Sequence, residues 1–233
     1  LRSVQTEEQS IDDMAFTNDC NWLYTKGDAT LMRRDVADPT SFHVVLQGPM
    51  QKSAFAPSVL RVALSGREGE ISIHRLLTGS EELRLQGPGD RLRDIALSAN
   101  ATWLAASGAF QGPAARIWHV PDGQLLTTFA GSDGARRLEF SPDEKLLVGT
   151  GHHDGLTLWD LESLSVRDSI VAGYVDDVGY APDGRHLVWG EFGQYPLQFY
   201  NVESGARSAA HGTLPPVSPN VVEFSRGGSM IAV

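Results

Sequence analysis

The sequence predicts an all-β chain made of one repeated four-stranded unit, a radial or stacked repeat fold. Three observations predict it. An aromatic or aliphatic anchor followed by a turn recurs at Phe16, Phe55, Leu97, Phe140, Tyr180 and Phe224, in steps of 39, 42, 43, 40 and 44 residues. A period of about forty residues built of short strands and turns marks a repeat architecture. Between the anchors, no segment sustains a helical period with caps.

Each unit has four elements in a fixed order. The first is a short strand that ends at the anchor. Ile95 and Leu97, Leu138 and Phe140, and Val178 and Tyr180 alternate onto one face, the period of two expected of a strand. The residue between is small in most units (Ala15, Ala54, Ala96, Gly179), which predicts close packing on the second face, as for a strand near the axis. A turn follows. Ser141-Pro-Asp-Glu144 and Ala181-Pro-Asp-Gly184 place Pro where its fixed φ suits a type I turn. The second strand carries Trp22-Leu-Tyr, Arg61-Val-Ala-Leu, Trp103-Leu-Ala-Ala, Leu146-Leu-Val, His186-Leu-Val-Trp and Met230-Ile-Ala-Val. The third carries Leu31 to Val36, Ile71 to Leu76, Ala115 to Val120, Leu156 to Leu161 and Leu197 to Val202. Hairpin residues such as Thr78-Gly79, Pro121-Asp-Gly123 and Ser204-Gly205 then turn the chain into a fourth strand. That strand ends at Gly48, Gly87, Gly131, Gly173 or Gly212. The Pro-rich stretch 214–219 sits before the last anchor as an extended loop, and 1–233 forms a single domain.

Composition narrows the function. The chain has 233 residues, net charge −10 and ordinary hydrophobicity at 41%. An acidic balance disfavours wrapping nucleic acid or lying on an anionic membrane, both of which need a Lys/Arg-rich face. Basic residues cluster only as short pairs: Arg33-Arg34, Arg91 with Arg93, and Arg136-Arg137. The single cysteine, Cys20, forbids an intrachain disulfide and suits a reducing, cytoplasmic setting. It falls in the turn Asn18-Asp-Cys-Asn21 with no His/Cys cluster around it and is expected to be a bystander. No apolar run approaches the ~20 residues that span a membrane.

These residues resemble the WD40-repeat family. The fourth unit carries the fullest match: Phe140-Ser-Pro-Asp, Leu146-Leu-Val-Gly-Thr-Gly, His153-Asp-Gly, then Leu158-Trp159-Asp160. Ile117-Trp118-His119 and Phe199-Tyr200-Asn201 stand at the same place in their units. The resemblance implies a β-propeller of four-stranded antiparallel blades around a channel. Five units are complete, with parts of flanking blades at either end, and the expectation is an excerpt of a longer propeller of seven blades or more. The chain departs from the family pattern. Trp159-Asp160 is the one true Trp-Asp pair, and the Gly-His pair is replaced by Gly48-Pro49, Gly87-Pro88, Gly131-Ser132 and Gly173-Tyr174. The network Ser/Thr survives as Thr25, against Leu64, Ala106, Gly149 and Trp189 elsewhere. Apolar packing between blades is therefore expected to carry more of the stability.

The clusters that could bear chemistry have plainer readings. His152-His153-Asp154 lacks further ligands at metal spacing. Gly149-Thr-Gly151 to Gly155 precedes a strand, where a phosphate loop needs a helix. Asp143, Asp154 and Asp183 fit Asx turns. The five tryptophans fall at strand positions and are assigned to the core. No cofactor and no metal are expected. The expected partner surface is the start of each first strand, a charged set that differs between units: Asp12, Lys52, Arg93, Arg136, Arg137, Tyr174 and Asp176. The leading expectation is a non-enzymatic scaffold or sensor module that binds a protein or peptide on this face, within a larger multidomain protein. The alternative is a propeller enzyme or an enzyme's accessory propeller, of quinone-dependent dehydrogenase, lactonase or peptidase type. Acidic and histidine side chains converging at one depth of the channel would favour the alternative.

Overall fold

Short alternating strands separated by turn residues fold into consecutive antiparallel meanders. In the computed structural model, residues 10–38, 40–108, 114–130, 135–151, 155–191, 197–209, 222–225, 228 and 230–232 are described. The first sheet is β1 (Asp13–Phe16), β2 (Trp22–Lys26), β3 (Thr30–Asp35) and β4 (Phe42–Gln47). The second is β5 (Ser53–Ala56), β6 (Arg61–Ser65), β7 (Glu70–Arg75) and β8 (Glu81–Gln86). The third is β9 (Leu92–Leu97), β10 (Trp103–Gly108), β11 (Ala115–His119) and β12 (Gln124–Phe129). The fourth is β13 (Leu138–Phe140), β14 (Leu146–Thr150), β15 (Leu156–Asp160) and β16 (Ser165–Ile170). The fifth is β17 (Val175–Tyr180), β18 (His186–Glu191), β19 (Gln198–Asn201) and β20 (Arg207–Ala209). A sixth begins with β21 (Glu223–Phe224) paired to β22 (Ile231–Ala232). The chain is an all-β propeller of four-stranded blades with no helix among the described residues.

The turn after the anchor carries a residue at positive φ in all six units. It is the fourth after the anchor in five of them, Cys20, Ala101 and Glu144 at 56–57°, Gly184 at 69° and Gly228 at 68°, and the fifth after Phe55, Leu60 at 55°. A Ser or Thr hydroxyl closes four of these turns, accepting from Trp22, Trp103, Leu146 and Met230 N–H through Thr17, Ser98, Ser141 and Ser225. Asp143 takes the Ser141 hydroxyl at 2.6 Å, and Asp183 takes Arg185 N–H at 2.8 Å. These two aspartates serve the turns. Cys20 is an exposed turn residue. Asp154 and its neighbours His152 and His153 lie outside the described residues.

Each apolar cluster straddles two sheets. Val62, Leu64 and Leu76 pack on Tyr24 and Leu31. Ile95, Leu97 and Trp118 pack on Ala63, Ile71 and Ile73. Phe140 and Trp159 pack on Ala105, Ile117 and Phe129, and Val178, Tyr180 and Trp189 on Val148, Leu156 and Leu158. Every anchor after Phe16 thus packs against the sheet before it. The small residues face the other way, so that successive first strands touch. A Cβ on Gly179 would stand 3.0 Å from Val222 O. On the first sheet the matching apolar face, Met14, Phe16 and Val36, is 61%, 49% and 44% exposed.

The expected Ser/Thr network is shifted by one residue. Thr25 is buried, yet its hydroxyl has no hydrogen-bond partner among the described residues. The column that bonds is the next one: Lys26, Ser65, Ser107 and Thr150, all buried. Ser65 Oγ and Thr150 Oγ1 accept from Lys52 and Arg137 N–H, each within its own sheet. Ser107 Oγ and Lys26 Nζ donate to Ala135 O at 2.6 Å and Gln51 O at 3.2 Å, across to the next sheet. Blade-to-blade polar bonds thus accompany the apolar packing between sheets. At Gly149 the ring of Trp159 fills the space, so that a Cβ would lie 2.7 Å from it. Ser107→Ala is expected to lower the unfolding free energy by about 1–2 kcal/mol. Urea denaturation will read this, with the exposed turn substitution Ser163→Ala staying within about 0.5 kcal/mol.

Candidate functional site

A four-stranded meander brings the starts of its first and third strands to one face, together with the ends of its second and fourth. This upper face holds every residue assigned to partner binding from sequence. It is built on the inner edge of the first strands, whose N–H groups have no further strand to pair with. Buried N–H groups need acceptors, and carboxylates from the preceding blade supply them. Asp94 Oδ2 accepts from Leu138 N–H at 2.7 Å, and Asp177 Oδ2 accepts from Val222 N–H at 2.8 Å. Glu139 Oε1 accepts from Tyr180 N–H at 3.2 Å, and Asp13 Oδ2 takes the Ser53 hydroxyl at 2.5 Å. The bonds join sheets one to two, three to four, four to five and five to six.

The charges alternate around this inner rim. Three residues before successive anchors stand Asp13, Lys52, Asp94, Arg137 and Asp177. Arg137 Nε meets Asp177 Oδ1 at 3.0 Å. Burial pushes the Asp94 carboxyl up to about 6, against the pull of Arg137, of the Leu138 N–H bond and of Lys52. Burial likewise raises Asp13, opposed first by the Ser53 hydroxyl. Burial works against the charge of Arg137, but Asp94, Asp177, Glu139 and Asp13 together outweigh it and hold its pKa above the ordinary value. One arginine thus feels acids from four sheets.

The sequence-assigned residues divide accordingly. Asp12 is exposed and pairs with the buried Lys26 at 2.9 Å. Lys52 is exposed, Arg93 and Arg136 are half-buried, and the Arg137 side chain is 47% exposed. Arg136 lies over the Tyr174 ring at 4.7 Å, bridging the fourth and fifth sheets. Asp176 sits on β17, and its side chain lies outside what the structure describes. The structure unites Arg136 with Tyr174, and it shows the adjoining Asp94 and Asp177 turned inward to join blades. Sequence reasoning missed that division. Its signal was present in the acids and bases alternating at one position per unit.

The acids at one depth do not form a metal centre, because each is committed to the next blade. Among the described residues no group of three or more His, Cys, Asp or Glu side chains converges. A cleft of about 170 Å³ opens beside Arg137, Glu139, Tyr180 and Val222, smaller than the ~300–1,000 Å³ of typical small-molecule sites. No helix of the described residues is long and apolar enough to cross a membrane.

Residues 123–160 match the family model "WD domain, G-beta repeat". They run from the hairpin before β12 through Trp159-Asp160. A WD repeat-containing protein of Synechocystis sp., sll1491, is 24% identical over 152 residues, covering 64% of this chain and 43% of that protein. The Drosophila melanogaster protein LST8 homolog is 22% identical over 170 residues, covering 68% and 54%. The chain spans about half the length of the curated relatives it matches. Among solved structures, the Kuenenia stuttgartiensis hydrazine synthase superposes with a TM-score of 0.75 at 17% identity, covering 99% of this chain and 75% of that one. That likeness is one of fold.

Proposed function

We infer that this chain, a WD40-repeat β-propeller, serves as a non-enzymatic interaction scaffold or sensor module that docks a protein or peptide partner on its upper face. The observation that carries the reading is the rim itself. Carboxylates and hydroxyls lock neighbouring blades beneath it, while Lys52, Arg137 and the Arg136–Tyr174 stack are left on top. A rigid face with outward charges binds at little ordering cost. The uncovered apolar face at Met14, Phe16 and Val36 supports a further blade packed there, within a longer, multidomain protein. The single cysteine suits a cytoplasmic setting.

Site-specific photo-crosslinking tests the reading. A crosslinking residue at Arg93 on the upper face is expected to capture a discrete protein from extracts of the source organism. The same residue at Lys145, in the turn on the opposite face, is expected to capture none. Equal capture from both positions, or capture from Lys145 alone, overturns the assignment of this face.

A further inference from the structure

The fifth sheet departs from the four before it at one position, and the departure is charged. At the upper end of the second strand the earlier sheets carry glycine: Gly27, Gly66, Gly108 and Gly151. The fifth has Glu191 there, closing β18. Its side chain is 7% exposed, and a carboxylate withdrawn this far from water needs donors. Three supply it. Arg207 Nη2 donates to Oε1 at 2.5 Å and Trp189 Nε1 to the same oxygen at 3.4 Å. Gly173 N–H donates to Oε2 at 3.1 Å.

Arg207, on β20, spends its fork on the same corner. Nη1 donates to Val171 O at 2.7 Å and Nε to Gln198 Oε1 at 3.1 Å, while the guanidinium lies over the Trp189 ring at 5.1 Å. Residues 171–174 are the connector from β16 to β17 and belong to no strand. The ion pair holds this connector at two points, the Val171 carbonyl through Arg207 and the Gly173 N–H through Glu191. The two ties depend on each other. Without Arg207 the Glu191 carboxylate is a buried charge with no cation, which favours its turning out to water and letting Gly173 go. One residue beyond Gly173 stands Tyr174, whose ring carries the Arg136 guanidinium at 4.7 Å.

We propose that the Glu191–Arg207 pair is a clasp: it straps the connector 171–174 onto the fifth sheet and so positions Tyr174, with Arg136 over it, in the upper face. The proposal rests on that face being the docking surface and adds the residues that set its shape. Glu191 and Arg207 act through the connector and are positioning residues. A held connector spares a partner the cost of ordering it on binding.

Hydrogen exchange read by mass spectrometry tests the strap, and crosslinking tests its consequence. Arg207→Met keeps an apolar stem beside Trp189 and removes the donors. Exchange in 171–174 is expected to rise about tenfold or more, with β9 and β10 of the third sheet unchanged. Arg84→Met, which breaks an exposed pair with Glu81 on β8, is expected to leave 171–174 as in wild type. Arg207→Lys keeps the charge and loses the fork. It is expected to raise exchange several-fold and gives the answer if the Met variant does not fold. Capture from a crosslinking residue at Arg93 is expected to fall several-fold in both Arg207 variants. Wild-type exchange at 171–174 in both variants overturns the clasp. So does a rise spread equally over the third sheet, which would make the pair a general stabiliser. Faster local exchange with undiminished capture overturns its role in positioning the face. No capture from the protein with Arg207 intact discards the docking surface and the positioning role with it, while the exchange result still decides the strap.

Discussion

Trp159→Ala is expected to destabilise the protein by about 3–5 kcal/mol, the range for truncating a buried aromatic side chain. For a chain of this size that corresponds to a fall in Tm of roughly 10 °C. Trp159 is 3% exposed and lies on β15 between two sheets. Its ring stacks on Phe129 of the preceding sheet, with centroids 5.0 Å apart and planes 14° apart. It also covers Gly149 on its own sheet, where an added Cβ would lie 2.7 Å away. Removing the indole opens a cavity on both sides at once, and neither a β-strand glycine nor a phenylalanine anchored on β12 can close it. Asp160, the other half of the Trp-Asp pair, does different work. It is held below the ordinary carboxylate range by the Ser163 backbone and hydroxyl, and it closes an exposed turn through Ser163 and Glu162 N–H. Asp160→Ala should therefore cost only about 1 kcal/mol. Thermal denaturation of the two variants checks the split. Similar losses would show that the pair acts as a unit rather than as a wedge and a turn.

The period, the strands and the turns were legible because each depends on residues within four or five positions of one another. Alternation places Val178 and Tyr180 on one face of β17, and Pro-Asp chemistry places the turns at Ser141-Pro-Asp-Glu144 and Ala181-Pro-Asp-Gly184. Burial of the tryptophans was legible only in part. Trp118, Trp159 and Trp189 are buried between sheets. Trp22 and Trp103 begin their strands at the lower rim and are half-buried, lying under Arg33 at 4.5 Å and against His119 at 5.3 Å. The rim was illegible for a different reason. Whether Asp94 faces water or Leu138 depends on where the next blade sits, forty-four residues on. The hydroxyl column failed by a single position. Ser107 bonds across to the next sheet and Ser65 and Thr150 bond the first strand of their own sheets, while the column before them, Leu64, Ala106 and Gly149, takes apolar packing.

The same rim gives the second large effect, and its sign follows from burial. Asp94 holds its proton up to about pH 6 in the folded protein, against about 3.9 for an unfolded aspartate. The folded state therefore binds more protons between these values. The favourable contribution of this carboxyl is fully present below about pH 4 and is lost as pH rises through about 6. Two pK units correspond to about 3 kcal/mol at most. Asp94→Asn keeps an oxygen to accept from Leu138 N–H and removes the buried charge. It is expected to stabilise the protein by about 1–2 kcal/mol at pH 7.5, to change little at pH 4, and to flatten the intervening slope. Asp94→Leu removes the charge and the acceptor together. It leaves Leu138 N–H unsatisfied at a cost of about 1–3 kcal/mol, so it should be the least stable of the three at pH 4. Urea midpoints at pH 4, 5, 6 and 7.5 decide the matter. An Asn variant weaker than wild type at pH 7.5 would mean that attraction to Arg137 and Lys52 outweighs desolvation, reversing the account of the rim.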